Sequence, residues 1–205
     1  MNEIILPAAV LRDALTGALV ATATDKALPA FNCVKVTATP SGVDFVGTDR
    51  YALIVGTVMP SNSFNMWHEF DALIHVDDVK LIISELKAAL RMNKNLGVKL
   101  VHDGYAVSLH GIPDVDNVAA CDLTRQYDFP RYARLLPDSP PDSFLTAPIG
   151  FNANNLAKLS KIPAVKDSPV SLQFYGLTRP LVASVKHDAI KWQVLIMPVR
   201  LDHNS

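Results

Sequence analysis

The chain has 205 residues, 49% of them hydrophobic and 19% charged, with a formal net charge of −1 at pH 7. This composition predicts one large or two small folded domains and excludes a disordered chain and one that coats nucleic acid through bulk charge. No apolar run approaches the roughly 20 residues that span a bilayer, and the first residues lack the basic start of a signal peptide. Cys33 and Cys121 have no CxxC companion, which favours buried free thiols over a disulfide. We expect a cytoplasmic protein with no membrane contact.

The first part of the chain predicts a strand, a helix and three further strands. An extended segment at 3–6 precedes a helix over about 8–23, in which Leu11, Leu15 and Leu19 recur every four residues. The strands that follow are predicted at 32–38, 43–48 and 51–58. Ser41-Gly42 and Asp49-Arg50 supply the turns between them.

The same order of elements then repeats. A strand at 73–76 leads to Asp77, which is well placed to cap the next helix. The apolar face of that helix is formed by Val79, Ile82, Ile83, Leu86 and Leu90. Three more strands are predicted near 98–101, 105–110 and 118–123, with Asp103-Gly104 as a hairpin turn.

After a proline-rich connector the pattern returns a third time. An extended segment at 144–151 is followed by the cap Asn152 and a helix that carries Leu156, Leu159 and Ile162. Its strands are predicted at 170–175, 181–186 and 190–197, and Pro198 should end the last strand or lie at a sheet edge. Three β-α-β-β-β units indicate an internal repeat in an α+β fold. We expect a two-unit domain over 1–123, a connector over 124–142 and a half domain over 143–205, which leaves the third unit without a partner in its own chain.

Three motifs placed around this repeat resemble the bacterial DNA polymerase III beta subunit, the replicative sliding clamp. They are the strand turn Thr48-Asp49-Arg50-Tyr51-Ala52-Leu53, the connector Phe129-Pro130-Arg131-Tyr132-Ala133-Arg134-Leu135-Leu136-Pro137 and the ending Leu195-Ile196-Met197-Pro198-Val199-Arg200-Leu201. The chain also departs from the family. Arg50-Tyr51 stands where the family has Gly-His, three units stand where the family has six, and 202–205 continues past the family's usual end.

The resemblance implies a DNA-clamp-like fold, with antiparallel sheets outside and helices lining one face, and a pocket for partner peptides. Carried over residue by residue, that pocket comprises Phe31, Thr48, Tyr51, Leu53, Pro130, Leu135, Leu195, Met197, Pro198, Val199, Arg200 and Leu201. Apolar walls would provide affinity, and Arg200 could orient a carboxylate or a backbone oxygen. For Phe31, Leu53 and Leu135, plain core packing remains an equal alternative.

A second candidate site is a basic stripe on the second helix. Lys80, Lys87, Arg91 and Lys94 fall within one band of its surface at about 100° per residue. Lys158 and Lys161 form a smaller pair on the third helix. In a clamp such helices meet DNA phosphates without reading bases. An ordinary solvated helix face is the alternative.

These observations favour a small sliding clamp, a ring that tethers a polymerase to double-stranded DNA. Its partners would be DNA, through non-specific phosphate contacts, and a polymerase and clamp loader, through linear peptides. The family's rings contain twelve units, so four chains would complete a homotetrameric ring. The small size suggests a phage or mobile element. The alternative function is a clamp mimic that never closes a ring and sequesters clamp-binding peptides. The sequence has no enzyme motif, metal-ligand spacing or cofactor motif, so we expect neither an enzyme nor a bound metal or cofactor.

Overall fold

The architecture follows from a computed structural model of the full chain. The structure describes residues 2–25, 27–39, 42–59, 70–113, 115, 117–138, 140, 141, 147–163, 165 and 168–201. Of the segment expected to be extended at 144–151, residues 144–146 lie outside the described residues, as does the tail at 202–205. In the rest of that segment, only Gly150–Phe151 forms a strand.

The two halves of the first domain have the same element order. The first unit consists of β1 (Asn2–Pro7), α1 (Ala8–Leu19), β2 (Cys33–Thr39), β3 (Gly42–Thr48) and β4 (Ala52–Val58). The second consists of β5 (Phe70–His75), α2 (Val76–Met92), β6 (Gly97–His102), β7 (Ala106–His110) and β8 (Val118–Cys121). A 3₁₀ turn at Pro29–Asn32 precedes β2, so the predicted order of elements is confirmed in both units.

The third unit is shorter than the other two. It consists of β9 (Gly150–Phe151), α3 (Ala153–Leu156), β10 (Ser171–Gln173), β11 (Leu181–His187), β12 (Ile190–Ile196) and β13 (Pro198–Val199). Two 3₁₀ turns flank its start, at Tyr132–Leu135 in the connector and at Leu159–Lys161 after α3. Pro198 follows the end of β12, as predicted.

The strands form antiparallel sheets that interlock the units. One sheet has the order β1-β6-β7-β8, a second has the order β10-β11-β12-β4-β3-β2-β5, and β13 pairs with β9. The first strand of each unit in the first domain therefore joins the three later strands of the other unit. Neither of these units can complete its sheet alone, so the two units depend on each other to fold.

The helices cover the inner faces of both large sheets. Leu11 and Leu15 of α1, and Ile82 and Leu86 of α2, are buried in one core together with side chains from both sheets. The two helices also pack against each other. The fold class predicted from the sequence, α+β with antiparallel sheets and helices on one face, is therefore confirmed.

The third unit has a partner within its own chain, contrary to expectation. Strand β12 pairs with β4 along its whole length, from Ile190 opposite Val58 to Ile196 opposite Ala52. Its Trp192 is fully buried in the main core. The indole lies so close to two glycines that a Cβ on Gly17 would be 2.1 Å from its ring, and a Cβ on Gly56 would be 2.5 Å from it. Trp192 of β12 thus packs on α1 and β4, and the apolar side chains of β12 are buried within this chain and not exposed for a second one.

Local features differ from the sequence predictions at three further points. The third helix ends at Leu156 and a 3₁₀ turn follows at Leu159–Lys161, so the predicted helix is shorter than expected. Ile162 is extended at ψ 128°, because Pro163 disfavours helical geometry at the residue before it. The cap of α2 is His75, whose Nδ1 accepts a hydrogen bond from the Asp77 amide at 3.3 Å. Asp77 lies in the first turn instead, where a carboxylate favours the helix dipole. Both cysteines are free, but Cys121 is exposed while Cys33 is buried.

A buried carboxylate ties the end of the second unit to its beginning. Asp122 Oδ1 accepts hydrogen bonds from the backbone amides of Leu73 and Thr124, both at 3.0 Å. Its Oδ2 accepts the Thr124 hydroxyl at 2.8 Å and lies 3.1 Å from His102 Nε2. Burial would raise the pKa of Asp122, but these hydrogen bonds outweigh it and hold the pKa below its ordinary value.

Among the helices that the structure describes, none is long and apolar enough to cross a bilayer.

Candidate functional site

The strand turn between β3 and β4 is fixed by its own side chains. Thr48 Oγ1 donates to the Ala52 carbonyl at 2.8 Å and accepts the Arg50 amide at 3.2 Å. Asp49 Oδ1 accepts the amides of Tyr51 and Ala52, at 3.0 and 2.8 Å. Arg50 adopts a left-handed conformation with φ of 79°. The turn thus holds Tyr51 outward at the beginning of β4.

The third unit contacts this turn at two points. The backbone amide of Met197, just after β12, donates to the Tyr51 carbonyl at 2.9 Å. Lys158, just after α3, forms an ion pair with Asp49 Oδ2, and both side chains are largely buried. These contacts place the end of β12 directly beside the turn.

The connector forms the third wall. Tyr132 packs on the outer face of the seven-stranded sheet, and its hydroxyl donates to Asp44 Oδ2 at 3.0 Å. Burial and the neighbouring Asp44 raise the pKa of Tyr132 above its ordinary value, so the phenol keeps its proton for this bond. Phe129 and Leu136 pack against the same buried cluster as Tyr132, which includes Leu53 and Leu195. The connector residues between these anchors are thereby held against the end of β12.

The turn, the end of β12 and the connector enclose a cavity of about 430 Å³. It is lined by Phe31, Thr48, Arg50, Tyr51, Ala52, Leu53, Pro130, Arg134, Leu135, Pro180, Leu195 and Met197. Leu53 and Leu195 form a floor that is 3% exposed, whereas Tyr51, Leu135 and Met197 on the rim are 58%, 53% and 41% exposed. The volume lies in the range of ligand pockets, about 300–1,000 Å³.

The cavity brings together most of the residues that the resemblance implied. The exceptions are Pro198, Val199, Arg200 and Leu201, which do not line it. Pro198 and Val199 pair with β9, and Leu201 packs on Gly150. The sequence prediction did not include four lining residues, Arg50, Ala52, Arg134 and Pro180. Three of them, Arg50, Ala52 and Arg134, lie within the quoted motifs directly beside residues that the prediction included. That adjacency was the signal in the sequence that could have found them.

The basic stripe is only partly helical. Lys80, Lys87 and Arg91 are exposed on α2, but Lys94 lies after the helix ends at Met92. Lys80 Nζ is 2.9 Å from Asp77 Oδ1, so its charge is shared with a neighbour. Lys87 and Arg91 are therefore the cations of α2 best placed to meet an external anion.

The two lysines of the smaller basic pair, Lys158 and Lys161, lie in different environments. Lys158 is engaged by Asp49 and largely buried, so it does not present its charge to solvent as expected. Lys161 ends the 3₁₀ turn after α3 and is exposed. On α1 the guanidinium of Arg12 is held 2.7 Å from Asp13 Oδ1. Basic charge on the helices is thus concentrated on α2.

Comparison with known proteins identifies the fold. No protein-family model and no curated protein matches the chain. Among solved structures, the DNA polymerase III beta subunit of Thermotoga maritima matches 98% of this chain with a TM-score of 0.77 and 13% identity. The beta chain of Streptococcus pneumoniae matches 98% with a TM-score of 0.75 and 14% identity. The Caulobacter crescentus beta sliding clamp matches 97% of this chain with a TM-score of 0.74 and 13% identity.

The chain covers about two thirds of these clamps, 66% of the Thermotoga chain and 65% of the Streptococcus chain. The agreement extends over nearly the whole of the present chain, including the third unit. The chain has the sliding-clamp fold.

Proposed function

We propose that the protein is a DNA sliding clamp, a processivity factor that encircles duplex DNA and holds client proteins by peptides bound in the cavity. The observation that carries this proposal is the cavity itself. It forms where β12 docks beside the strand turn, on a chain whose fold is that of bacterial clamps. The proposal requires no catalytic step.

The cavity suits a linear peptide from a polymerase or clamp loader. Its buried floor at Leu53 and Leu195 can accept apolar side chains, and removal of their surface from water supplies affinity. Tyr51, Leu135 and Met197 leave apolar surface exposed around the opening. Met adapts its shape to different guests, which fits a site that serves several clients.

The second helix is the proposed DNA-facing surface. Lys87 and Arg91 are exposed there, with Lys80, Lys94 and Lys161 as further cations. Contacts of this kind with phosphates are weak, independent of sequence and sensitive to salt. These properties allow a clamp to slide.

Closure of a ring requires further copies of the chain, and we propose a homotetramer. Within one chain, β4 and β12 show how units join, by antiparallel pairing of one strand from each unit. Strand β8 is the last strand of the second unit, and no described strand pairs with its outer edge. Strand β10 leaves a second such edge. Unpaired edges are templates for association. Counted as three units each, four chains supply the twelve that the resemblance implies, whereas a chain equivalent to two thirds of a clamp would close the ring as a trimer.

Light scattering and peptide binding together test the proposal. A clamp is expected to show a tetrameric mass at micromolar concentration and to bind peptides with apolar anchors. A stable monomer would contradict the ring. Loss of binding on Met197→Ala would place the peptide in the cavity, whereas unchanged binding would contradict the pocket.

A clamp mimic that captures peptides without closing a ring is the alternative. The uneven charge of the helices favours it, because Arg12 and Lys158 are both engaged by carboxylates and α1 offers little to DNA. A mimic would bind peptides as a monomer or dimer and would show no retention on circular DNA.

A further inference from the structure

The rim of the cavity carries positive charge without negative charge to balance it. Arg50 and Arg134 both line the cavity, and none of the described residues that line it is an Asp or Glu. Within the described part of the chain, neither arginine forms an ion pair with a carboxylate. Since the chain as a whole has a formal net charge of −1, this concentration of charge is local.

Arg50 occupies a backbone conformation that normally favours glycine. Its φ of 79° lies in the left-handed region, which is costly for a side chain with a Cβ. The bonds made by Thr48 and Asp49 hold the turn in place despite this cost. The guanidinium carbon lies 5.9 Å from the centroid of the Tyr51 ring. The turn thus presents a cation beside an exposed aromatic side chain of the rim.

The acidic residue of the turn cannot neutralise Arg50. Asp49 directs Oδ1 to the amides of Tyr51 and Ala52, and its Oδ2 is engaged by Lys158. Both oxygens are therefore used within the protein. Arg134 approaches from the connector, on the 3₁₀ turn that Tyr132 anchors to the sheet. Two fixed elements thus bring two unbalanced cations to one apolar cavity.

We propose that the cavity selects peptides whose apolar anchors are flanked by Asp or Glu carboxylates, with Arg50 and Arg134 as the residues that recognise them. This inference rests on the proposed peptide-binding function and adds a specificity to it. The apolar floor holds the anchors, and the arginines discriminate between acidic and neutral neighbours. Guanidinium groups suit this task because they can donate two parallel hydrogen bonds to one carboxylate.

The test compares two sets of short synthetic peptides that share two leucine anchors. One set carries Asp around the anchors, and the other carries Asn at the same positions, so that only charge differs. Binding is measured by fluorescence anisotropy of the labelled peptides. The Asp peptides should bind about threefold to tenfold more tightly, the range for partly exposed charge pairs. The preference should shrink between about 50 mM and about 500 mM salt, because screening weakens exposed pairs.

Three variants assign the preference to the rim. Arg50→Gly removes the cation and keeps the left-handed turn, so thermal stability should not fall. Arg134→Gln removes the second cation. Arg131→Gln is the matched control, since Arg131 lies on the same connector but does not line the cavity. Arg50→Gly and Arg134→Gln should each reduce the preference for Asp peptides, and together they should abolish it, while Arg131→Gln leaves it unchanged.

The possible outcomes separate this inference from the function on which it rests. Equal binding of Asp and Asn peptides would overturn the acidic specificity and leave the peptide pocket intact. Failure of both sets to bind would overturn the pocket as well. A preference that survives the double variant would place carboxylate recognition outside the rim and contradict the roles of Arg50 and Arg134.

Discussion

The backbone amide of Met197 donates a hydrogen bond to the carbonyl oxygen of Tyr51 at 2.9 Å. This bond joins the last motif of the chain to the first, because it continues the pairing of β12 with β4 beyond the end of the strand. The cavity therefore exists only when the third unit is docked on the first domain. Residues on its rim can be changed without disturbing that docking, since the joining bond is made by the backbone.

Truncation of two rim side chains should weaken peptide binding with little loss of stability. Met197→Ala with Leu135→Ala is expected to cost about 2 kcal/mol or more of binding free energy, the range of interface hot spots. Both side chains are well exposed, so the thermal midpoint should change little. Leu201→Ala is the control, because Leu201 packs on Gly150 outside the cavity lining. Unfolding of the double variant without a selective binding loss would show that these residues are core.

Because Gly17 lies directly against Trp192, a larger side chain at position 17 should destabilise the fold. Gly17→Ala is expected to lower the free energy of unfolding by about 1–3 kcal/mol, because the rigid, buried indole leaves no room for a methyl group. In a Trp192→Phe background the same substitution should cost about 1 kcal/mol less, since the smaller ring opens space. Urea denaturation of the four proteins in this cycle measures the coupling. Equal costs in both backgrounds would contradict the packing.

The Asp122 cluster predicts a pH dependence of stability. Because the folded-state pKa of Asp122 is lowered, its ionised form contributes stability above the unfolded pKa of about 4. That contribution is lost as pH falls from about 4 through the folded pKa. Asp122→Asn should destabilise the protein at neutral pH by about 2–4 kcal/mol and flatten the dependence below about pH 4. If the free energy of unfolding fell with decreasing pH equally in both proteins, this role of Asp122 would be contradicted.

Much of the fold follows from sequence pattern. The leucines of α1 and the apolar face of α2 are regular enough to predict both helices, and the turns at Asp49-Arg50 and Asp103-Gly104 predict the hairpins. The pocket residues are brought together because three distant motifs end at one place. The elements were predictable where a local signal and the family pattern agree, and the role of the pocket residues stays a prediction.

The differences arise where a distant contact decides the structure. No local signal reveals that Lys158 pairs with Asp49, so a surface role for that lysine was the natural expectation. The pairing of β12 with β4 also could not be predicted, because alternating apolar and polar residues indicate a strand but not the strand beside it. In the third unit the apolar spacing predicts one helix through Ile162, but α3 gives way to a 3₁₀ turn, and Pro163 keeps Ile162 extended.

Charge reversal on α2 should weaken DNA binding and leave peptide binding unchanged. Lys87→Glu with Arg91→Glu is expected to reduce the slope of log affinity against log salt by about two, since each phosphate contact contributes about 0.9. The charge-matched control is Lys186→Glu with Lys191→Glu. These lysines lie opposite each other on β11 and β12 and are exposed on the sheet face away from Trp192. An equal effect of both pairs would remove α2 from the proposed DNA-facing surface.

Retention on circular DNA tests the central claim most directly. The chains are diluted until they dissociate, concentrated in the presence of a nicked plasmid, and passed through a gel-filtration column at about 0.5 M salt, where phosphate contacts are screened. A sliding clamp should elute with the circular plasmid and be released when a restriction enzyme linearises it, because only a closed ring links the two. Equal elution with circular and linear DNA, or no retention on the circle, would contradict a clamp that encircles DNA.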